Sequence, residues 1–239
     1  MTGGAGDRPD PARRRNRFSL FAKAPPSCFV AAMPSFHFGA IILAAGASTR
    51  MGRPKQLLRI DGRTLLRRTV DAVLASAAWP AVVVIGAHQD SVRPEVARLP
   101  VLIIENPGWE EGLASSIRAG ARVLDTFSLS LDAGLLVVCD QPGFSPAAIT
   151  RLTDVAVSSG KSIVAARYDG HPGPPVLFAR CHFHEFTELR GPGGARPLLE
   201  LHAGQLATVD LPELATDLDT LEDYRAFLAS SQSTRQPAL

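Results

Sequence analysis

Short apolar runs alternate with amphipathic stretches along most of this chain, and that alternation narrows the fold more than any other feature. Runs at 40–45, 81–86, 101–105, 134–139 and 162–167 read as strands, with later ones near 175–178 and 205–210. The segments 63–77, 89–98, 114–124, 145–158, 194–201 and 220–229 read as helices. Strands and helices alternating in this way build a mainly parallel sheet covered by helices. The expected fold is α/β, a single three-layer Rossmann-like domain with a mainly parallel mixed sheet. Ser145-Pro146 reads as a helix N-cap followed by proline at the first helical position. Thr220, with Glu222 and Asp223 behind it, puts a cap and acidic residues in another first turn. No internal repeat or linker interrupts 39–230. That stretch is taken as one domain, between an extension at 1–38 and a tail at 231–239.

The segment Ile41–Leu58, IILAAGASTRMGRPKQLL, carries most of the functional signal. An apolar strand through Leu43, Ala44 and Ala45 opens into a loop of small residues, Gly46, Ala47, Ser48 and Gly52. Met51 lies within that loop, as do two fixed cations, Arg50 and Lys55. Small residues let backbone N–H groups come close to a ligand, and successive N–H groups there form an anion-binding concavity. Arginine adds a fork suited to phosphate oxygens. Such a strand end suits a triphosphate. The plainer reading is a strand–loop–helix corner with two solvated basic residues. No Gly-Lys-Ser/Thr follows four variable residues, so this is not a P-loop. Gly46 and Gly52 are also wrongly spaced for the dinucleotide fingerprint.

Open α/β sheets gather ligands outside the carboxyl ends of their strands. Residues 46–55 follow the first run, Asp140 the fourth and Tyr168 the fifth, so these groups share one rim. Asp140 facing a phosphate loop is a natural Mg2+ ligand, because Mg2+ takes one or two carboxylates together with phosphates and water. The plainer reading is a turn aspartate before Gln141-Pro142. Asp217 and Asp219 fall on one side of an extended segment and offer a second carboxylate, although either could instead cap the helix.

LAAGASTRMGRPKQLL is similar to the signature LAAGxSxRMGxxK of the nucleotidyltransferases related to molybdenum cofactor cytidylyltransferase. Further blocks follow in the matching order: NPGWEEGLASSIRAG from Asn106, CDQP from Cys139, YDGHPGPPVLF from Tyr168, GPGGAR from Gly191 and DLDTLEDY from Asp217. The resemblance spans 39–230. It implies the nucleotide-diphospho-sugar transferase type of fold and a Mg2+-dependent transfer of a nucleoside monophosphate from an NTP to a phosphorylated acceptor. Arg50, Lys55 and Asp140 take the catalytic roles. Leu43, Ala44, Ala45, Gly46, Ser48, Arg50, Met51, Gly52, Lys55, Gly86 and Ser116 hold the nucleotide. The resemblance further implies that Asp140 and Asp217 hold the metal and that His171, Gly173 and Arg196 meet the acceptor, although His171 reads equally as a satisfied surface histidine.

LAAG, where guanylyl relatives usually read LAGG, favours CTP. The molybdenum cofactor is then the expected acceptor, with a molybdoenzyme apoprotein as a further partner. Pro192 stands where an aspartate is usual, which leaves another small phosphorylated acceptor open. Two other readings are an oxidoreductase acting on pigments, as some relatives are described, and a non-catalytic molybdoenzyme-maturation protein. His88 either approaches the base or is a surface-loop histidine, and Trp109 reads as packing.

Six of the 25 basic and two of the 23 acidic residues precede position 24, which leaves 19 against 21 in the remainder. The net charge of +2 therefore comes from an Arg-rich N-terminal segment, and the body does not read as a nucleic-acid binder. That segment reads as disordered, with Met33 as a second candidate start. No apolar run is long enough to cross a bilayer. Cysteines at 28, 139 and 181 offer neither a disulfide framework nor paired ligand spacing, which suits a reducing cytoplasm. Cys181, His182 and His184 read as incidental.

Overall fold

The structure, a computed structural model, describes Met1 and residues 36–233. The chain divides into two units, Met1–Ser35 and Phe36–Leu239, and every element below belongs to the second. The expectations for the Arg-rich segment, for Met33 as a start and for the last six residues of the tail lie outside the described residues.

In chain order the elements are β1 (Phe38–Ala44), a hairpin of β2 (Arg59–Ile60) and β3 (Arg63–Thr64), α1 (Leu65–Leu74), β4 (Ala81–Ile85) and α2 (Gln89–Val96). There follow β5 (Leu102–Glu105), α3 (Leu113–Thr126), β6 (Ala133–Val138), α4 (Pro146–Ser159), β7 (Ile163–Tyr168) and β8 (His171–Ala179). The chain closes with α5 (Phe183–Phe186), α6 (Arg196–Leu201), β9 (Leu206–Asp210) and α7 (Leu221–Ser233). Seven strands form one sheet in the order β5-β4-β1-β6-β8-β7-β9. All neighbouring pairs are parallel except those of β8, which runs against both β6 and β7. The sheet is thus mostly parallel and mixed, as the alternating pattern predicts.

β1 shows why its sequence is an unbroken apolar run. Successive side chains of a strand point to opposite faces, and here both faces are covered, so every residue of β1 is buried. Ala40, Ile42 and Ala44 enter one core with Leu66 and Val70 of α1, Val92 of α2 and Leu152 of α4. Ile41 and Leu43 enter the other with Ile117 of α3, Phe186 of α5 and Leu199 of α6. That two-sided burial is the usual condition of strands in parallel sheets.

A third, smaller cluster joins Met51, Leu58, Ile60, Leu65 and Leu218, with Leu221, Tyr224 and Phe227 packed against it. It ties α7 to the segment after β1. The two helix caps form as the sequence suggests. Ser145 accepts from the Ala148 N–H at 3.4 Å. Thr220 and Asp223 exchange side-chain-to-backbone hydrogen bonds at 2.8 and 3.2 Å, a reciprocal capping arrangement.

The domain limits differ from expectation at both ends, and two elements are additional. β1 takes Phe38 from the supposed extension, and α7 runs to Ser233, inside the supposed tail. The β2–β3 hairpin and α5 were not anticipated. At two residues per strand and four in the helix, neither is long enough to show a period.

Candidate active site

β1 and β6 are neighbours in the sheet, so the loop after β1 and Asp140 after β6 emerge side by side. The ammonium of Lys55 is hydrogen-bonded to the Asp140 carboxylate and also lies 3.3 Å from Asp219 Oδ1. Arg50 reaches the other oxygen of Asp219 at 2.8 Å. The Leu218 N–H donates to the Asp140 carbonyl at 3.0 Å, which ties the segment before α7 to the end of β6. Three distant segments of the chain therefore form one alternating chain of charge, Arg50–Asp219–Lys55–Asp140.

The loop owes its shape to Gln56, which is 1% exposed. Its amide donates to the carbonyls of Ala44 and Gly46 at 3.0 and 2.8 Å. The Ser48 hydroxyl donates to Gln56 Oε1 at 3.4 Å and accepts the Lys55 N–H at 3.1 Å. Ser48 itself sits in the left-handed region with φ 54°, so the chain doubles back there. The His88 ring is within 2.8 Å of the Ala47 carbonyl, so it braces the loop from the β4 side. Gly86 directly follows β4, and a Cβ there would lie 2.8 Å from both Cβ and O of Ala45. Only glycine lets the two strand ends come that close. The Ala45 methyl is thereby buried against Gly86.

The charges are strongly coupled. Burial alone would lower the pKa of Lys55, but the Asp140 carboxylate more than reverses this and holds it at about 12, so Lys55 is a fixed cation. Asp217 is pushed up to about 6, first by burial and then by Asp140. Tyr168 is raised to about 12 by burial and then by Asp217; its hydroxyl accepts from Gln141 Nε2 at 2.9 Å. Burial and Asp140 raise the Cys139 thiol to about 12. It stays protonated and is no nucleophile at neutral pH.

The family resemblance assigns the second metal carboxylate to Asp217, yet Asp219 is the one that shares Lys55 with Asp140. The reason is local. Leu218 is fully buried in the third cluster, and the Asp219 N–H is held at 3.2 Å by Asp223 of the capping turn. Asp219 is thereby directed to the rim. Ser116, assigned to the nucleotide, is 4% exposed and accepts from Asn106 Nδ2 at 3.0 Å, as Ser115 does at 2.8 Å. Both serines brace the floor formed by the start of α3.

His171, Gly173 and Arg196 all line a single cavity of about 680 Å3. Leu43, Ile117 and Leu136 supply apolar wall, and Leu43 is three residues from Gly46, so the cavity opens beside the loop. The GPGGAR segment is seated against α3. Gly112 has φ 111°, and a Cβ on it would stand 2.8 Å from Pro192 Cα and 2.9 Å from Gly191 O.

The residues fit a divalent cation. Asp140 Oδ1 is buried with no hydrogen-bond partner, and Asp219 is its neighbour across Lys55. Carboxylate oxygen is the donor type that Mg2+ and Mn2+ prefer. Three carboxylates against two cations also leave the site with excess negative charge, which a triphosphate would find repulsive without a divalent ion. Gln56, and Asp219 as the inner carboxylate, were not legible as site residues. Gln56 stands between a charged residue, Lys55, and Leu57, and nothing in that pattern marks it as buried.

Residues 40–209 match the family described as MobA-like NTP transferase domain. Nicotine blue oxidoreductase of Paenarthrobacter nicotinovorans is 30% identical over 77% of this chain and 94% of its own length. Molybdenum cofactor cytidylyltransferase of Escherichia coli is 23% identical over 77% of this chain and 92% of its own. Among solved structures, Rv0371c of Mycobacterium tuberculosis H37Rv in complex with manganese superposes with a TM-score of 0.66 at 28% identity, covering 81% of this chain and 99% of that one.

Proposed function

This chain belongs to the MobA-like NTP transferase domain family and is a nucleotidyltransferase by that membership; we infer that it transfers CMP from CTP to the molybdenum cofactor, releasing pyrophosphate. The observation that carries the inference is the Arg50–Asp219–Lys55–Asp140 charge chain beside a cavity that holds His171, Gly173 and Arg196.

In this reading an acceptor phosphate oxygen attacks the α-phosphorus of the NTP while the β,γ-pyrophosphate leaves. Such a reaction needs alignment and charge neutralisation more than covalent help from the protein. The loop from Gly46 to Gly52 cradles the triphosphate. Lys55 and Arg50, now neutralised by carboxylates, turn their charge toward phosphate oxygens as the nucleotide enters. Asp140 with Asp219 would hold Mg2+, with Asp217 close behind. Bound there, the ion would offset phosphate charge and orient the triphosphate. The largely apolar cavity suits the flat ring system of an acceptor, with Arg196 available to an anionic group. The resemblance to an Escherichia coli protein named for the same reaction supports the choice of acceptor. Ala45 supports the choice of nucleotide.

Pro192 favours a second reading, in which the acceptor is another small phosphorylated molecule, since the loop that lines the cavity has lost a carboxylate and a backbone N–H. The test is incubation with each NTP, Mg2+ and purified molybdenum cofactor, following pyrophosphate release. Release with CTP only when the cofactor is present supports the first reading. Release that needs a different acceptor supports the second.

A further inference from the structure

His182, Glu185 and His202 lie outside the active site and form a cluster of their own. Each offers one ligand atom, and the three atoms lie within 4.8 Å of one another. His182 Nδ1 is 2.7 Å from Glu185 Oε1, and His202 Nε2 is 2.6 Å from Glu185 Oε2. The other ring nitrogen of His182 is 2.8 Å from the hydroxyl of Ser162. The rings of His182 and His202 are 4.6 Å apart. Three parts of the fold meet at this point: Ser162 just before β7, the turn into α5, and the end of α6.

We propose that His182, Glu185 and His202 form a structural site for a transition-metal ion of the Zn2+ type. Two imidazoles and one carboxylate are a donor set that zinc takes with bond lengths of about 2.0–2.2 Å. Tetrahedral bonds of that length space ligand atoms by about 3.3–3.6 Å. The carboxylate oxygens now sit closer than this to each imidazole, so Glu185 need only draw back by about 1 Å. His182 is 5% exposed, whereas the side chains of Glu185 and His202 are 18% and 26% exposed, which leaves an open side for entry and for a water as fourth ligand.

Ser162 suits the site to both states. With no ion bound, a neutral His182 donates from Nδ1 to Glu185 and accepts at Nε2 from the serine hydroxyl. With the ion on Nδ1, the proton moves to Nε2 and the hydroxyl turns to accept it. A hydroxyl can do either without moving its oxygen. A partner on the remote nitrogen is the arrangement that fixes the tautomer of a metal-binding histidine. Both imidazoles must be deprotonated at the ligating nitrogen, so affinity rises with pH.

The site bears on the cavity because His202 directly follows α6, and α6 contributes Arg196, Leu199 and Glu200 to the cavity wall. A bound ion would staple that helix to α5, and the hydrogen bond between His182 and Ser162 would link both to the start of β7. It is a positioning element for the acceptor side and has no part in the transfer step.

The test uses the full chain, stripped with chelator and titrated with Zn2+ alone by calorimetry and thermal melting. The Asp140→Asn variant runs in parallel and serves as the background for the cluster variants, so that uptake at the active-site carboxylates is separated. Asp140→Asn should bind one zinc per chain, more tightly at pH 7.5 than at pH 6, with a rise in Tm, and the parent should show this same uptake beside any at its carboxylates. His202→Gln and Glu185→Gln, at partly exposed positions, should abolish this uptake while remaining folded by circular dichroism. Ser162→Ala should keep it but weaken affinity by about 10–100-fold. Cobalt should show the intense visible bands of tetrahedral coordination in the parent and not in His202→Gln. Zinc uptake unchanged in His202→Gln and Glu185→Gln, or lost entirely in Asp140→Asn, would overturn the site. So would a parent chain that takes up no zinc.

Discussion

Replacing Gln56 by glutamate changes one NH2 to oxygen with almost no change in volume, and it isolates what this buried side chain does. Its amide donates to the Ala44 and Gly46 carbonyls at 3.0 and 2.8 Å. An ionised carboxylate there would face two carbonyl oxygens with nothing to donate. A protonated one can donate to only one of them. Holding a carboxyl of ordinary pKa about 4.3 protonated at pH 7 costs about 3.7 kcal/mol, at about 1.4 kcal/mol per unit. One lost hydrogen bond adds about 1 kcal/mol.

The expected deficit is therefore about 5 kcal/mol at pH 7 and about 2 kcal/mol at pH 5. The sign follows from the folded-state pKa of the new acid being raised. Its penalty grows as pH rises above the unfolded value and fades as pH falls toward it. Urea unfolding of parent and Gln56→Glu at the two pH values measures both numbers. A loop displaced by about 1 Å should also lower kcat/KM by about 100-fold. A deficit below about 1 kcal/mol, or one that does not change with pH, would refute the buried-donor role of Gln56.

Lys55→Ala should weaken NTP binding and slow transfer together, because its charge is aimed at phosphates before and during reaction; titration calorimetry and pyrophosphate release measure the two. Gly112→Ala should cost more than about 1 kcal/mol of stability, since alanine is strained at positive φ and its Cβ would strike Pro192; urea unfolding measures the loss. CTP should exceed GTP in kcat/KM with the same acceptor, and Ala45→Gly should narrow the gap partially. The Ala45 methyl packs on Gly86, so it acts by fixing the loop edge, and about 1–3 kcal/mol bounds its share of the discrimination.

The sheet was legible because its central strands are buried on both faces. The run through Ile41, Ile42 and Leu43 admits little else. Asp140 and Lys55 were legible because a strand end and a glycine-bearing loop confine where their charges can go. Gln56 was not, since burial of a polar side chain is invisible until its acceptors are known. The choice between Asp217 and Asp219 depends on Leu218 being drawn into the cluster under α7 and on Asp223 gripping the Asp219 N–H. Both are tertiary facts. His182 looked incidental beside His184 because its partners, Glu185 aside, are 20 residues away on each side, and only the packing of α5 against α6 and β7 brings them together.

The central claim is that Asp140 and its charge partners drive nucleotidyl transfer to an acceptor in the adjoining cavity. Its most direct measurement is mass spectrometry of the acceptor after incubation of the parent and Asp140→Asn proteins with CTP, Mg2+ and purified molybdenum cofactor. The parent should yield a cofactor heavier by one cytidylyl group, CMP less one water, together with an equal amount of pyrophosphate. A folded Asp140→Asn should form neither. An unmodified cofactor, or equal product from Asp140→Asn, would contradict the claim.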